Sequence, residues 1–308
     1  MRFAVLPILA VLTLPAAAAT PTHGSLIVGS MQAGVHYLMR VDYDYDGADT
    51  LTVSGPVWQR AEANVAAEYV VVPGGYVVFA SGGTVSRVQI ATGSRVLSNA
   101  SGNGTTATLD PDGQHVWTGW RDTALSSVPL NPFGDATPHA IGGDDTSATQ
   151  IAFTPAGVFY TTGSDNPSDT ASVGRIDLEA FTTTRVLAGT DATGIHYDPY
   201  SATLVFAAFG KAHQLDPAAP QAIVSSRDDS ATENYVDLVP DGLGHLMAVH
   251  RSDAGCSNPE NGIALIDYSA TGLLGDPSTR YAHAALPVPG CATGLGVDPD
   301  LFADGFDP

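Results

Sequence analysis

The 308-residue chain carries 32 acidic against 12 basic side chains, a formal net charge of -20. That balance repels phosphate backbones and anionic lipid surfaces, so it disfavours nucleic acid and membrane docking and leaves a cationic or neutral ligand as the expected partner. Only 14% of residues are charged and 44% are hydrophobic, enough apolar material for a buried core in place of disorder.

In chain order, MRF supplies a positive charge, AVLPILAVLTL an apolar run and PAAAAT a small-residue cleavage site. This pattern predicts a signal peptide over residues 1–19 and hence a secreted or periplasmic protein. No later run approaches the roughly 20 apolar residues of a spanning helix. Residues 20–300 are then expected to form a single domain, followed by the short acidic tail 301–308, LFADGFDP.

SLIVGS (25–30), VHYLMRVDY (35–43) and TLTVSG (50–55) read as three short strands without a first partner. Between the last two lies VDYDYDGADT, in which Asp42, Asp44 and Asp46 alternate ahead of Gly47. Alternate oxygens before a tight glycine turn match the first half of a calcium loop, with Thr50 as a further ligand. The second half departs from an EF-hand: Val53 stands where glutamate is wanted, and strands flank the loop where helices are needed. A structural calcium and an unmetallated hairpin turn both remain open for this stretch.

From residue 68 onward one form recurs: an apolar-alternating run, a proline turn, then a second run. EYVVVPGGYVVFASG, TATLDPDGQHVWTGW, TQIAFTPAGVFYTTG, TGIHYDPYSATLVFAAF, ENYVDLVPDGLGHLMAV and the truncated TGLGVDPD share it, anchored on Pro73, Pro111, Pro155, Pro199, Pro240 and Pro299. A period of roughly 40 residues with four short strands per unit predicts an all-β, six-bladed β-propeller. TGLGVDPD is a first strand lacking its other three, so it completes a blade with the three N-terminal strands and leaves no open edge. Seven blades is the alternative, because the gap before Pro299 is wide, and a β-sandwich is a further one.

First strands line the channel of a propeller. Residues three and five before each proline alternate with a consistently apolar set and are polar or tiny; they include Glu68, Gln150, His196, Tyr235 and Asp237. His196 and Asp237 fall in consecutive blades at matching depth, which makes them the candidate catalytic base and carboxylate, with Glu68, Gln150 and Tyr235 as ligand-binding neighbours. A hydrogen-bonded pair filling a narrow tunnel is the competing reading. His115 and His245 recur at equivalent second-strand positions, a repetition that points to scaffold packing.

The loops that lead into first strands share one face, here the top, with those joining second and third strands. They gather Asp122, Asp144, Asp145, Asp165, Asp169, Asp191, Asp228, Asp229, Glu233 and Asp253. Converging carboxylates favour a cation or a basic partner, although aspartate is also an ordinary turn residue. The two cysteines, Cys256 and Cys291, fall on this face in adjacent blades and are expected to form a disulfide in an oxidising compartment.

The repeated hydrophobic-DPDG turns resemble the broad group of secreted bacterial propellers that includes the NHL, YVTN and SMP-30/gluconolactonase-like proteins. The six-bladed lactonase-like members hold a calcium at the channel mouth through Glu, Asn and Asp from separate first strands. That resemblance implies Glu68 and Asp237 in comparable places with Asn234 as a third, while Thr108, Gln150 and His196 depart from it. The expected function is an exported, monomeric binding or structural module, with a metal-assisted hydrolase or lyase at the top of the channel as the alternative.

Overall fold

Leu26 faces Val297 and Met31 faces Cys291 across one antiparallel ladder, so the two ends of the chain are hydrogen-bonded in a single sheet. The computed structural model describes residues 21–298 except 65, 101–103, 120–123, 164–171, 191, 209, 231–234, 251–261 and 288–289. The expected signal peptide and the LFADGFDP tail lie outside the described residues.

Six sheets form the ring, as the period implies. From the innermost strand outward, blade 1 is Val70–Val72, Tyr76–Ser81, Thr84–Gln89 and Arg95–Ala100. Blade 2 is Thr108–Leu109, His115–Thr118, Ala124–Pro129 and Thr137–Ala140, and blade 3 is Gln150–Thr154, Gly157–Thr161, Ser172–Asp177 and Thr182–Ala188. Blade 4 is Ile195–Asp198, Thr203–Ala208, Lys211–Leu215 and Ile223–Asp228, and blade 5 is Tyr235–Pro240, His245–His250, Gly262–Asp267 and Arg280–Ala285. The closure blade takes Cys291–Val297 from the C-terminal side and Thr22–Gln32, Val35–Tyr45 and Leu51–Val53 from the N-terminal side.

The second strands read as continuous apolar runs because each blade is covered on both faces. Along Thr22–Gln32, Leu26 and Val28 pack toward blade 5 with Met247, Val249 and Ile263, while Ile27 packs toward blade 1 with Val77 and Phe79. The same two-residue alternation sends Val78 and Ala80 toward Val116 and Val128 of blade 2. Full burial of one such side chain is worth about 1.5–3 kcal/mol.

Two outer strands differ from the sequence expectation. The closure blade's fourth position is shared by Leu51–Val53 and Trp58–Glu62, which pair with opposite ends of Val35–Tyr45 around the intervening Gly55-Pro56. HAIGG reads as one strand, but Thr137–Ala140 belongs to blade 2 while Gly142–Gly143 runs parallel to the outer strand of blade 3. A Cβ on Gly143 would collide with the Thr183 backbone, so glycine permits that close approach.

Cys291 is buried at the head of the closure blade's first strand and is not a free thiol. Its expected partner Cys256 lies outside the described residues, and the closure that the described residues show is the strand ladder.

Candidate functional site: an acid-imidazole cluster at the end of a central cavity

Four first-strand positions converge where the blades meet. His196 Nε2 stands 3.4 Å from Glu68 Oε1 and 3.5 Å from Asp237 Oδ1. Gln150 donates its amide Nε2 to Glu68 Oε1 at 2.5 Å and lies 3.2 Å from the same imidazole nitrogen. Gln150 Oε1 accepts the Ile195 backbone N–H at 2.9 Å, which fixes which way the amide faces. Glu68 Oε2 accepts from Ala107 N at 3.0 Å. Gly194 makes room for this arrangement, since a Cβ there would sit 3.0 Å from Asp237 Oδ1 and 3.3 Å from Gln150 Oε1.

Glu68, Gln150 and Asp237 are buried, and Asp237 Oδ2 has no hydrogen-bond partner. Burial pushes the Glu68 carboxyl well above the usual carboxylate range; the Asp237 charge adds to that, and the Ala107 N–H pulls against it. Nε2 is thus the imidazole atom that faces the two carboxylates, and Nδ1 is the ring's other hydrogen-bonding atom.

Below this cluster lies a cavity of about 470 Å³. Glu68 and His196 are among its lining residues, and its walls are mainly apolar, with Val70, Leu109, Phe153 and Tyr197 prominent. Pro111 and Pro199, from the turns between first and second strands, also line it. The cavity therefore reaches the cluster from the bottom face, the reverse of the top-of-channel site expected from sequence. Size and lining are those of a small-molecule pocket: apolar walls with few polar groups.

Tyr235 does not join the cluster. The ladder between blade 5's first two strands shifts register between Tyr235 and Asp237, so the two residues lose the common direction that strict alternation implies. Tyr235 is buried in the core between blades 4 and 5 with Val205, Leu246 and Tyr268, and its hydroxyl donates to Asp229 Oδ2 at 2.6 Å.

The 42–50 stretch is a turn that satisfies itself. Asp42 and Asp44 lie within the strand Val35–Tyr45, and Asp46 follows it. Alternate strand residues are about 6.8 Å apart, whereas ligands around one calcium, each about 2.4 Å from it, must crowd within about 5 Å of one another. Asp42 accepts from Ser25 Oγ and lies 3.8 Å from Arg40. Asp46 Oδ1 accepts the backbone N–H groups of Ala48, Asp49 and Thr50 at 2.8, 3.2 and 3.1 Å. Those hydrogen bonds hold the Asp46 carboxyl below its ordinary pKa. Asp42, Asp44, Asp46 and Thr50 therefore do not form the expected calcium cage.

Among the described residues, three of the top-face acids are matched by the chain's few cations. Arg185 pairs with Asp145, Arg227 Nε lies 2.6 Å from Asp229, and the single lysine, Lys211, lies 3.0 Å from Asp228. The Ser230 hydroxyl, then Lys211 and the Ser230 backbone N–H, hold Asp228 down to about 2. Asp122, Asp165, Asp169, Asp191, Glu233, Asn234 and Asp253 lie outside the described residues.

Among the described residues, Asp110, Asp112 and His115 bring one ligand atom each within 4.8 Å of one another and could coordinate a metal ion. Nothing in that group specifies calcium. It belongs to the DPDGQH turn, where Asp110 Oδ1 already accepts from Gln114 N and His115 N, and Asp110 Oδ2 lies 3.1 Å from His115 Nδ1. The equivalent pair in blade 5, Asp241 and His245, is 2.6 Å apart and buried. The recurrence fits the scaffold role read from the repeated histidines, which the sequence reasoning stated without identifying the aspartate partners; the aspartate ahead of each turn was the signal.

Calcium of the lactonase-like kind also fits the central cluster poorly. Gln150 turns an N–H donor toward Glu68 where a further oxygen would be needed, and the two carboxylates address an imidazole instead of a common centre.

No protein-family model matches the chain, and no curated protein matches it. Solved structures do. A chain of the nidogen/laminin complex aligns with a TM-score of 0.62 at 12% identity over 90% of this chain and 98% of that one. A Bacteroides caccae protein of unknown function aligns at 0.59 and 14% identity, covering 90% and 99%. Regucalcin from Agrobacterium tumefaciens, described as a calcium-binding protein, aligns at 0.53 and 12% identity, covering 77% and 79%. At these identities the likeness is one of fold alone: the chain has a β-propeller fold that these structures share.

Proposed function

We propose that the protein is an exported, monomeric binding module that takes a small cationic or neutral ligand into its central channel from the bottom face. The observation that carries this reading is the cavity of about 470 Å³, apolar along its walls and polar at the end formed by Glu68 and His196. Export rests on the N-terminal sequence pattern, and the sign of the preferred ligand on the net charge of -20. Regucalcin's calcium is not carried over, because the central donor set includes an amide N–H and an imidazole between the carboxylates.

Filling the cavity tests the reading. Ala152 lines the cavity and is nearly buried. Ala152→Phe is expected to abolish binding of any small ligand that a calorimetric screen finds for the wild type, with the far-UV spectrum unchanged. Ligand binding that survives the filled cavity would move the site elsewhere.

One observation favours a second reading, acid-base hydrolysis or lysis at the same centre: a histidine backed by buried carboxylates is oriented as a general base. Turnover of an ester or lactone panel by the wild type, lost in His196→Ala, would support it.

A further inference from the structure

The polar end of the cavity is built to accept hydrogen bonds. His196 Nε2 is engaged by Glu68, Asp237 and Gln150, which leaves Nδ1 as the ring's remaining hydrogen-bonding atom. Among the described residues, the only other acidic or basic side chain that lines the cavity is Glu68. Behind them, Asp237 is buried with one carboxylate oxygen unpartnered, and among the described residues no arginine or lysine lines the cavity to offset it. Such an end repels a carboxylate or phosphate and rewards a ligand that brings its own proton and positive charge.

The walls set the remainder of the ligand. Phe153 and Tyr197 offer aromatic surface, while Val70, Leu109 and Val239 offer aliphatic surface. A purely polar amine would lose hydration along these walls without recompense.

Resting on the binding-module reading above, we infer that the cavity's ligand is a small primary amine with an apolar body, its ammonium hydrogen-bonded at His196 and Glu68 and attracted by the buried Asp237. The apolar portion lies along Phe153 and Tyr197, toward the bottom-face turns. The ligand is selected by charge at its head and by surface area along its tail.

The test is isothermal titration of the folded protein, at neutral pH, with three probes that share one body: phenylpropylamine, phenylpropanol and phenylpropanoate. The amine is expected to bind at least about tenfold more tightly than the alcohol, with the carboxylate weakest, as expected for a charge-assisted hydrogen bond at a desolvated end. Asp237→Asn, which keeps shape while removing charge, is expected to reduce the amine's advantage. If the carboxylate binds as tightly as the amine, the amine inference falls while cavity binding stands. If the alcohol and carboxylate bind and the amine does not, the result is the same. If none of the three binds to the wild type, both the inference and the reading beneath it fall. The wild-type ranking decides the matter even where a variant fails to fold.

Discussion

His196 and Asp237, carried on the first strands of neighbouring blades, meet with Nε2 and Oδ1 3.5 Å apart. Glu68 lies on the other side of the same nitrogen at 3.4 Å, and Gln150 ties Glu68 to the backbone of the blade that carries His196. Three blades thus contribute to the hold on one imidazole, which is why its ring is aimed and why the cluster bears on stability as well as on binding.

Gln150 is the tie in that network. Gln150→Leu preserves approximate volume but leaves the Ile195 N–H without its acceptor and Glu68 Oε1 without its donor. Urea unfolding is expected to show a loss of about 2 kcal/mol or more, the cost of stranding buried polar groups. A loss within a few tenths of zero would mean that the network is not held as described.

His245 sets a pH dependence. Burial disfavours its imidazolium, but the hydrogen bond and charge of Asp241, with Asp267 beyond, outweigh that and raise its pKa. A raised pKa contributes stability in full below the ordinary value of about 6.5, and the contribution is lost as pH rises through the folded value. Melting temperatures followed upward from mildly acidic pH should therefore fall on the alkaline side, and His245→Gln should flatten that fall. A wild-type profile that rises over the same range would reverse the assigned sign.

The alternating acids near the N-terminus give a third expectation. Asp42 is occupied by Ser25, and Asp46 by three backbone N–H groups. Calcium titration of the wild type and of Asp42→Asn/Asp44→Asn is expected to give the same melting behaviour, because an ion that binds neither folded protein stabilises neither. A calcium-dependent rise in the wild type that the double variant lacks would restore the metal loop.

The proline-turn period made the blade count legible, because every blade repeats one hairpin and the partial units at the two ends complement each other. The central cluster was legible through strand parity, which carried Glu68, Gln150, His196 and Asp237 to one side. Parity failed at Tyr235, where a register shift that no residue type announces turns the ring into the core between blades. The aspartate alternation at 42–46 misled because an extended strand spreads the carboxylates that a calcium loop would wrap together. Asp145 and Asp228 looked unpaired because Arg185 and Lys211 reach them only from a sequence-distant loop or across a strand pair.

The most direct measurement is a crystal structure of the wild-type protein with phenylpropylamine. The expected result places the amine nitrogen within about 3.2 Å of His196 Nδ1, an ordinary hydrogen-bond distance, with the phenyl ring between Phe153 and Tyr197. An empty central cavity, with the amine bound on the top face or at the blade rim, would contradict the assignment of the channel as the ligand site.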